Sequence, residues 1–559
     1  MTILTLNRKQ LEKEIGKITE EIENKISMFG TPVEDITENE FSIEIFPNRP
    51  DLLSFQGFTR AIKCFLKKPE VQKYKLNKPE KNYQVIIDKS VKKVRPFTAC
   101  AIVKNLKLDD EKIKEIIDIQ EKLHGSYGRD RKKLAIGIYP LETIKLPITF
   151  LAKKPEEIKF QPLEFPKEIT GRQILSQHPA GREYGNLLKN YEEYPIFQDA
   201  DKQILSMPPI INSHKTGKIT ETTKEVFIEC SGFHPEFLKK TLNMIVCAFA
   251  NMGGEIYQME IKDSKKTISP DLEPEKMQFK IEDINKNLGL ELSEKEIKNL
   301  LEKMGLGYEK NSGEDTLKKP EGVLGIALIP AYRTDILHTI DLVEEIAIAY
   351  GYDNFIPELP KICTIGEENN ISVLKNKIAE ILIGLNILET SSYHLSTKEK
   401  QFKNMNIKEF KNDLIEVETS KTENNILRNS LLANSINILS QNSEATYPQQ
   451  IFELGKVFEN AEKSETGIKE TEKLCVSLCS EKANFTEIKQ ILDYLMRMLN
   501  LKYEIKETED SKFIEGRTGS IIVNNKEIGV LGEIHPVVLK NNKIKMPVAS
   551  MEIDIEELV

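Results

Sequence analysis

The chain has 559 residues, more than one hydrophobic core organises, so roughly three to five domains of about 100–200 residues are expected. Hydrophobic residues make up 39% and charged residues 30%, the balance of a soluble globular protein, and the formal charge of −9 argues against a bare nucleic-acid-coating protein. No run approaches the roughly 18–20 apolar residues of a membrane span, the N-terminus turns polar at Asn7-Arg-Lys9, and the cysteines lie scattered in apolar stretches; a cytoplasmic protein with reduced thiols is expected.

Residues 1–85 read as a first α/β domain. An apolar helix pattern runs through Leu11, Ile15, Ile18 and Ile22 to Met28, before Gly30. A strand from Phe41 to Phe46 follows, then Pro47-Asn-Arg49-Pro-Asp51-Leu-Leu and a helix through Phe58, Ile62 and Phe65. Residues 86–265 read as a mixed α/β domain with strands at Thr98 to Val103, Leu134 to Ile138, Ile204 to Met207 and Val226 to Glu229. Its helices run from about Asp109 to Leu123, with Ile113, Ile116, Ile117 and Gln120 inward, and from Pro235 to Met252.

Residues 266–357 form a smaller domain, in which Ser293-Glu-Lys-Glu296 is a capping box. Residues 358–559 begin with a helix from Val373 to Leu385 and continue as α+β with a mostly antiparallel sheet. There Leu474-Cys-Val-Ser-Leu-Cys479 alternates like a strand, which sets Cys475 and Cys479 roughly 13 Å apart, too far for a disulfide. Ser520 to Val530 reads as a hairpin turning at Asn524-Asn525.

The segment Arg333-Thr-Asp335 to Tyr352 gathers four carboxylates at the start of one apolar helix. Asp341, Glu344 and Glu345 stand at i, i+3 and i+4, which is one helix face, and Ile340, Val343, Ala347 and Tyr350 mark the packing face. Gly351 is placed for a left-handed cap. Repulsion among such carboxylates needs an offset. A helix N-terminus supplies part, and Mg²⁺, which takes oxygen ligands, would supply more. A solvated acidic helix start is the plainer explanation.

The first and third domains echo each other: helix, Gly, strand, Pro, then Arg-x-Asp-[Leu/Ile]-Leu opening a second helix, with Arg49 matching Arg333 and Asp51 matching Asp335. On that alignment Asp341, Glu344 and Glu345 fall opposite Gly57, Arg60 and Ala61. The Arg-x-Asp turn is therefore expected to be shared scaffold, and the three helix carboxylates an addition.

Taken in order, Pro47 to Ser54, Val94-Arg-Pro-Phe97, Gln120 to His124, Tyr127-Gly-Arg129, Arg131 to Ile138, Leu205 to Ser213, the acidic helix and Gly529 to Pro536 resemble the β subunit of phenylalanyl-tRNA synthetase, archaeal/eukaryotic type. The resemblance spans essentially the whole chain. It implies an α₂β₂ heterotetramer that uses ATP and Mg²⁺ to join phenylalanine to tRNA(Phe), with the synthetic site in the α subunit. It implies that residues 86–265 are a tRNA-editing (B3/B4-like) domain and residues 266–357 a metal-binding (B5-like) domain. Residues 358–559 become a class II synthetase core-like domain without its own active site, in which Arg428 resembles the arginine of the second class II motif.

By the same resemblance Asp335, Asp341, Glu344 and Glu345 are Mg²⁺ ligands shared with α, Asp335 being the one its echo at Asp51 explains without a metal. Ser206, Asn212 and Glu229 line a pocket that hydrolyses mischarged Tyr-tRNA(Phe). Glu229 departs from the pattern, where Asp is usual. An apolar pocket rejects an added hydroxyl only about 100-fold, so a second site that binds the phenol has a physical purpose. A carboxylate suits that hydroxyl as acceptor. No Ser–His–Asp set stands out, so hydrolysis is expected to use a positioned water or the RNA's terminal hydroxyl. Arg129, Arg131, Lys132 and Lys133 are candidates for RNA phosphates or for a solvated loop. The alternative function is a non-catalytic RNA-binding or regulatory paralogue with degenerate sites.

Overall fold

The computed structural model describes residues 2–67, 69, 71–310, 324–359, 364–410, 414–418 and 420–559, which leaves Cys363 outside the described residues. The chain divides into two compact units, residues 1–358 and 359–559. The elements that open the first unit are β1 (Thr2–Asn7), α1 (Arg8–Ile15), α2 (Glu20–Met28), β2 (Val33–Ile36), β3 (Glu40–Ile45) and α3 (Phe55–Leu66). The apolar spacing predicted one helix through Leu11 and Met28, and there are two. Gly16 takes φ +97°, which closes α1, and Thr19 Oγ1 accepts the Ile22 N–H to start α2. The strands pair antiparallel in the order β1-β3-β2.

The middle of this unit contains β4 (Gln84–Ile87), β5 (Phe97–Lys104), α4 (Asp110–Gly125), β6 (Leu134–Pro140), β7 (Ile148–Lys153), β8 (Tyr194–Gln198), β9 (Ile204–Met207), β10 (Ile211–Asn212), β11 (Val226–Gly232), α5 (Pro235–Asn251) and β12 (Glu255–Lys262). They build a sheet in the order β10-β9-β8-β7-β4-β12-β5-β11-β6, joined at β12 by the short strands Leu76–Asn77 and Lys266–Ser269. Ala99, Ala101 and Val103 of β5 pack on the α5 side, while Cys100 and Ile102 join a second core with Phe150 and Phe197 on the other. Strands covered on both faces read as continuous apolar runs, and β6 and β11 are buried along their whole lengths. Glu229 in the middle of β11 is the one carboxyl in those two runs. Helix α4 turns Ile116, Ile119, Leu123 and His124 inward, whereas Ile117, expected inside, is 55% exposed.

The unit closes with β13 (Glu275–Lys280), α6 (Ile281–Leu288), α7 (Glu294–Lys303), β14 (Gly307–Lys310), β15 (Leu324–Ile329) and α8 (Thr339–Tyr350). Ser293 and Glu296 make the reciprocal capping box. The element order, strand-helix-helix-strand-strand-helix, repeats that of residues 2–66, and the sheet order β13-β15-β14 repeats β1-β3-β2. The echo read in the sequence is thus a repeated fold.

In the second unit, α9 (Asn370–Gly384), α10 (Leu431–Gln441), β16 (Gln449–Asn460), β17 (Ile468–Cys479), α11 (Phe485–Met498), β18 (Glu504–Glu507), β19 (Phe513–Val523), β20 (Lys526–Ile534) and β21 (Val548–Asp554) surround one sheet. Its order is β16-β17-β21-β20-β19-β18, extended beside β16 by Leu388–Glu389, the only parallel pair in it among the described residues. Asn524 and Asn525 take φ +51° and +65°, the left-handed pair that a tight hairpin between β19 and β20 requires. Leu474, Val476, Met551 and Ile553 pack on the side of α9 and α11, and Cys475, Cys479 and Val548 on the side of α10.

Candidate functional site

The four carboxylates at α8 have three different fates. Asp335 receives Arg333 Nε at 2.8 Å and Nη2 at 2.7 Å, as Asp51 receives Arg49 at 2.9 and 3.0 Å. The two motifs meet: Arg49 Nε lies 3.9 Å from Asp335, and Thr334 donates to Asn48 O. Glu345 is 5% exposed and faces Arg333 at 2.9 Å. Burial pushes its carboxyl up while Arg333 opposes that, and Arg333 with Arg49 holds Asp335 down to about 2 against its own burial. Asp341 folds back, its Oδ2 accepting the Leu337 and His338 N–H groups at 2.7 Å each. Glu344 points to solvent.

The expected single acidic face therefore does not form, because Glu345 rotates inward to neutralise a buried guanidinium. The expected packing face also shifts. Ile340 is 56% exposed, and Leu342, Val343, Ile346 and Ala349 fill the core. Gly351 has the expected positive φ, +95°, but ψ 119° lies outside the left-handed helical region. Among the described residues, no three or more His, Cys, Asp or Glu side chains are arranged to hold a metal ion. Asp335 and Glu345 are committed to Arg333, so the four together do not fit Mg²⁺. Asp341 and Glu344 remain outward, and one or two carboxylates completed by water is the usual Mg²⁺ site.

The middle of the unit carries a cavity of about 410 Å³. Glu229 sits in its wall, opposite Gly137 in the register of β11 on β6. A Cβ at Gly137 would stand 2.6 Å from Glu229 Oε1 and 2.1 Å from the Tyr139 hydroxyl, so the missing side chain makes the room in which these groups lie. Tyr139 donates weakly to Glu229 Oε1 at 3.3 Å or to Asn212 Oδ1 at 3.4 Å. Glu229 Oε2 is buried without an aligned partner. Burial pushes this carboxyl up to about 8, although Arg95 nearby and the Tyr139 hydrogen bond act against it. At neutral pH Glu229 is mostly a neutral acid, able to donate as well as accept, rather than the carboxylate acceptor expected.

Ser206 and Asn212 are cross-strand neighbours of the β9–β10 hairpin, whose turn contains the cis Pro208–Pro209 bond. Asn212 lines the cavity; Ser206, 1% exposed, lies behind it, facing the Tyr139 phenol without an aligned hydrogen bond. The structure thus brings Ser206, Asn212 and Glu229 around one phenol, with two of the three in the wall.

Residues that sequence reasoning missed as a site complete that wall. His124 Nε2 accepts the Ile136 N–H at 2.8 Å, which places its proton on Nδ1, toward Glu121 at 3.4 Å. His124, followed by Arg131, holds Glu121 down to about 2. Arg131 is no solvated phosphate ligand. Its Nη1 donates to Pro209 O at 3.3 Å and Ile210 O at 2.9 Å, its Nη2 pairs with Glu121, and its Nε is buried without a partner. Arg129, Asp130 and Arg131 all take positive φ, an uncommon left-handed run that turns the Arg131 side chain into the cavity. His214 contributes another unpartnered buried atom, Nδ1. Glu121, His124 and Arg131 lay in quoted motifs; what sequence could not supply was that α4 and the 125–133 loop close over β6.

In the second unit Arg428, 1% exposed, donates to Lys456 O at 2.7 Å, Ser392 Oγ at 2.9 Å and Glu453 at 2.7 Å. A Cβ at Gly455 would stand 2.5 Å from its Nη2. Arg428 is a buried structural hub.

Residues 81–246 match the B3/4 domain family, residues 277–352 the tRNA synthetase B5 domain, and residues 356–555 the phenylalanyl tRNA synthetase beta chain CLM domain. The chain is 38% identical to the phenylalanine–tRNA ligase beta subunit of Thermococcus sibiricus, over 97% of this chain and 96% of that one. It is 38% identical to that of Pyrococcus horikoshii over 99% of both, and 36% identical to that of Methanosarcina barkeri over 100% of this chain and 99% of that one. The crystal structure of an N-terminal fragment of the Pyrococcus horikoshii phenylalanyl-tRNA synthetase beta subunit is similar, with TM-score 0.58 and 37% identity. The match covers 63% of this chain and 100% of the fragment.

Proposed function

Because the chain belongs to the phenylalanine–tRNA ligase β-subunit family, we propose that it works with an α subunit in ATP-dependent charging of tRNA(Phe), and that its own cavity removes tyrosine charged in error. The assignment of residues 86–265 to editing, 266–357 to a B5-like domain and 358–559 to a class II-like core without catalysis is part of this reading, as is the α₂β₂ stoichiometry. Arg428, bonded through Nε and Nη1 inside its unit, supports the absence of catalysis there.

One observation carries the editing role: Glu229 is a buried, mostly neutral acid with one oxygen toward a resident phenol and the other unpartnered in a cavity wall. A substrate phenol there would complete Oε2. Phenylalanine would leave it unpaired, and an unpaired buried polar group discriminates strongly. Asn212, His214 and the Arg131 Nε–H offer the polar contacts for the ester and for a positioned water. In the αβ complex, Glu229→Ala should slow Tyr-tRNA(Phe) deacylation on the order of 100-fold while phenylalanine charging is unchanged. Equal deacylation rates in mutant and parent remove Glu229 from the site.

For Mg²⁺ the proposal narrows to Asp341 and Glu344, with remaining ligands from water and the α subunit. Leu337 and Ile340 stand exposed on the same stretch, an apolar surface of the kind a subunit covers. Glu344→Ala should raise the Mg²⁺ concentration needed for charging or weaken α–β assembly; no change in either removes the metal role.

A further inference from the structure

The sheet of the second unit is apolar on one face, but its other face divides. Toward α10 it is covered by Cys475, Cys479 and Val548 packing. Beyond α10 it opens into a cleft of about 520 Å³ over the ends of β16, β17, β19, β20 and β21. Six carboxylates line this cleft against three lysines. Lys512 is taken by Asp510 at 3.0 Å, and Lys473 is shared between Glu459 at 3.8 Å and Glu552 at 3.9 Å. Glu552 is spent on the start of α10, accepting from Ser430 Oγ and from the Leu431 and Leu432 N–H groups. Among the described residues, Glu527 accepts only Ser520 Oγ, through Oε1, and Asp554 only the Glu556 N–H, through Oδ1.

Two further atoms point to a ligand. Thr471, 2% exposed, has its Oγ1 in the cleft wall without a partner, and so has Asn429 its buried Oδ1. Buried polar atoms left unpaired in a native fold need an explanation, and here both border one cleft. The unfilled capacity is for hydrogen-bond acceptance and for positive charge, and the half-buried Ile407 and Val530 add an apolar strip beside it. A hydrated divalent ion would make no use of that strip. A zwitterion would bring a carboxylate into surplus negative charge.

We propose that this cleft binds an aliphatic polyamine, with ammonium groups on Glu527, Asp554 and the Thr471–Asn429 pair and methylenes along Ile407 and Val530. The chemistry suits the unbranched amine: ammonium donors meet carboxylate and amide oxygens, and the carbon stem lies on the apolar strip.

The test is calorimetric titration of spermidine into the tRNA-free αβ complex at about 0.15 M salt, where weakly held surface charges are screened. One saturable site per β chain is expected. Glu527→Gln with Asp554→Asn should weaken it about tenfold or more, and Thr471→Val a few-fold, as loss of two ion pairs and of one ammonium–hydroxyl hydrogen bond respectively requires. Should the double variant fail to fold by circular dichroism, Val530→Lys, which brings its own ammonium into the cleft from a half-buried position, should abolish binding in its place. Absence of a saturable site, equal affinity in the folded variants, or displacement of spermidine by equimolar Mg²⁺ or phenylalanine would overturn the proposal.

Discussion

The two copies of the repeated fold solve the same problem with different charges. Both open their last helix with a bidentate Arg-x-Asp pair, and the pairs bury each other at the seam. In the first copy the following helix carries Gly57, Arg60 and Ala61. A Cβ at Gly57 would lie 2.0 Å from Asp51 O, so no aspartate fits there. Arg60 turns inward, 3.8 Å over the ring of Tyr332 and 4.0 Å from Asp51. In the second copy the same positions are Asp341, Glu344 and Glu345: a cap, a solvent-facing acid and a partner for Arg333. Three guanidinium groups, Arg49, Arg60 and Arg333, thus meet three carboxylates, Asp51, Asp335 and Glu345. The lesson is that an acidic cluster in a sequence is a statement about a fold's internal charge balance before it is a statement about a metal.

The largest break in this comparison is Arg333→Ala. It removes the partner of two buried carboxylates, leaving Asp335 only the more distant Arg49, and should cost about 3–5 kcal/mol in urea unfolding, more than Arg49→Ala, which removes the close partner of Asp51 alone and leaves it Arg60. Equal losses would mean the copies do not differ energetically.

Next is the contrast between two buried glutamates, Glu345 facing a guanidinium and Glu229 only near one. The folded chain keeps the Glu229 proton to about 8, against an ordinary value of 4.5. The stability this contributes is full below pH 4.5 and is lost as pH rises through 8. Burial raises Glu115 to about 7 and adds a slope of the same sign, so the measurement is a difference: Glu229→Gln should flatten the fall in urea midpoint across this window. A parallel pH profile in the variant would refute the buried neutral acid.

Smaller effects separate the helix carboxylates. Glu345→Ala, which copies Ala61, should cost about 1–3 kcal/mol, since Asp335 still holds Arg333. Asp341→Ala should cost about 1 kcal/mol through its cap. Glu344→Ala should stay within about 0.5 kcal/mol. A loss of Mg²⁺ dependence at Glu344 would then be separable from folding, and a large folding loss there would contradict its exposure.

Local chemistry carried much of the architecture into the sequence. The strand from Ile204 to Met207, the capping box at Ser293 and the Asn524-Asn525 turn are where the residues place them, because each depends on neighbours within a few positions. The repeat was legible because Arg-x-Asp is a two-residue device that reappears intact. Helix faces were less legible. Ile117 and Ile340 were expected inside and lie out, since apolar spacing fixes a periodicity but not which of two adjacent apolar stripes meets the sheet. Gly16 ended a helix that the apolar pattern ran through.

The candidate site divides the same way. Sequence pointed to Asn212 and Glu229, which line the cavity, and to Ser206, which stands behind it. It could not show Tyr139 meeting Glu229, since that contact joins residues 90 apart through strand register. By itself, then, the sequence determined the repeat, most strands, the family and the residues worth testing, because these rest on short-range patterns and on likeness. Only the tertiary structure decided which acids are free. Ionisation and availability depend on burial and on partners brought from far along the chain. Those make Glu345 an internal counter-ion, Glu229 a neutral acid and Glu344 a carboxylate open to solvent.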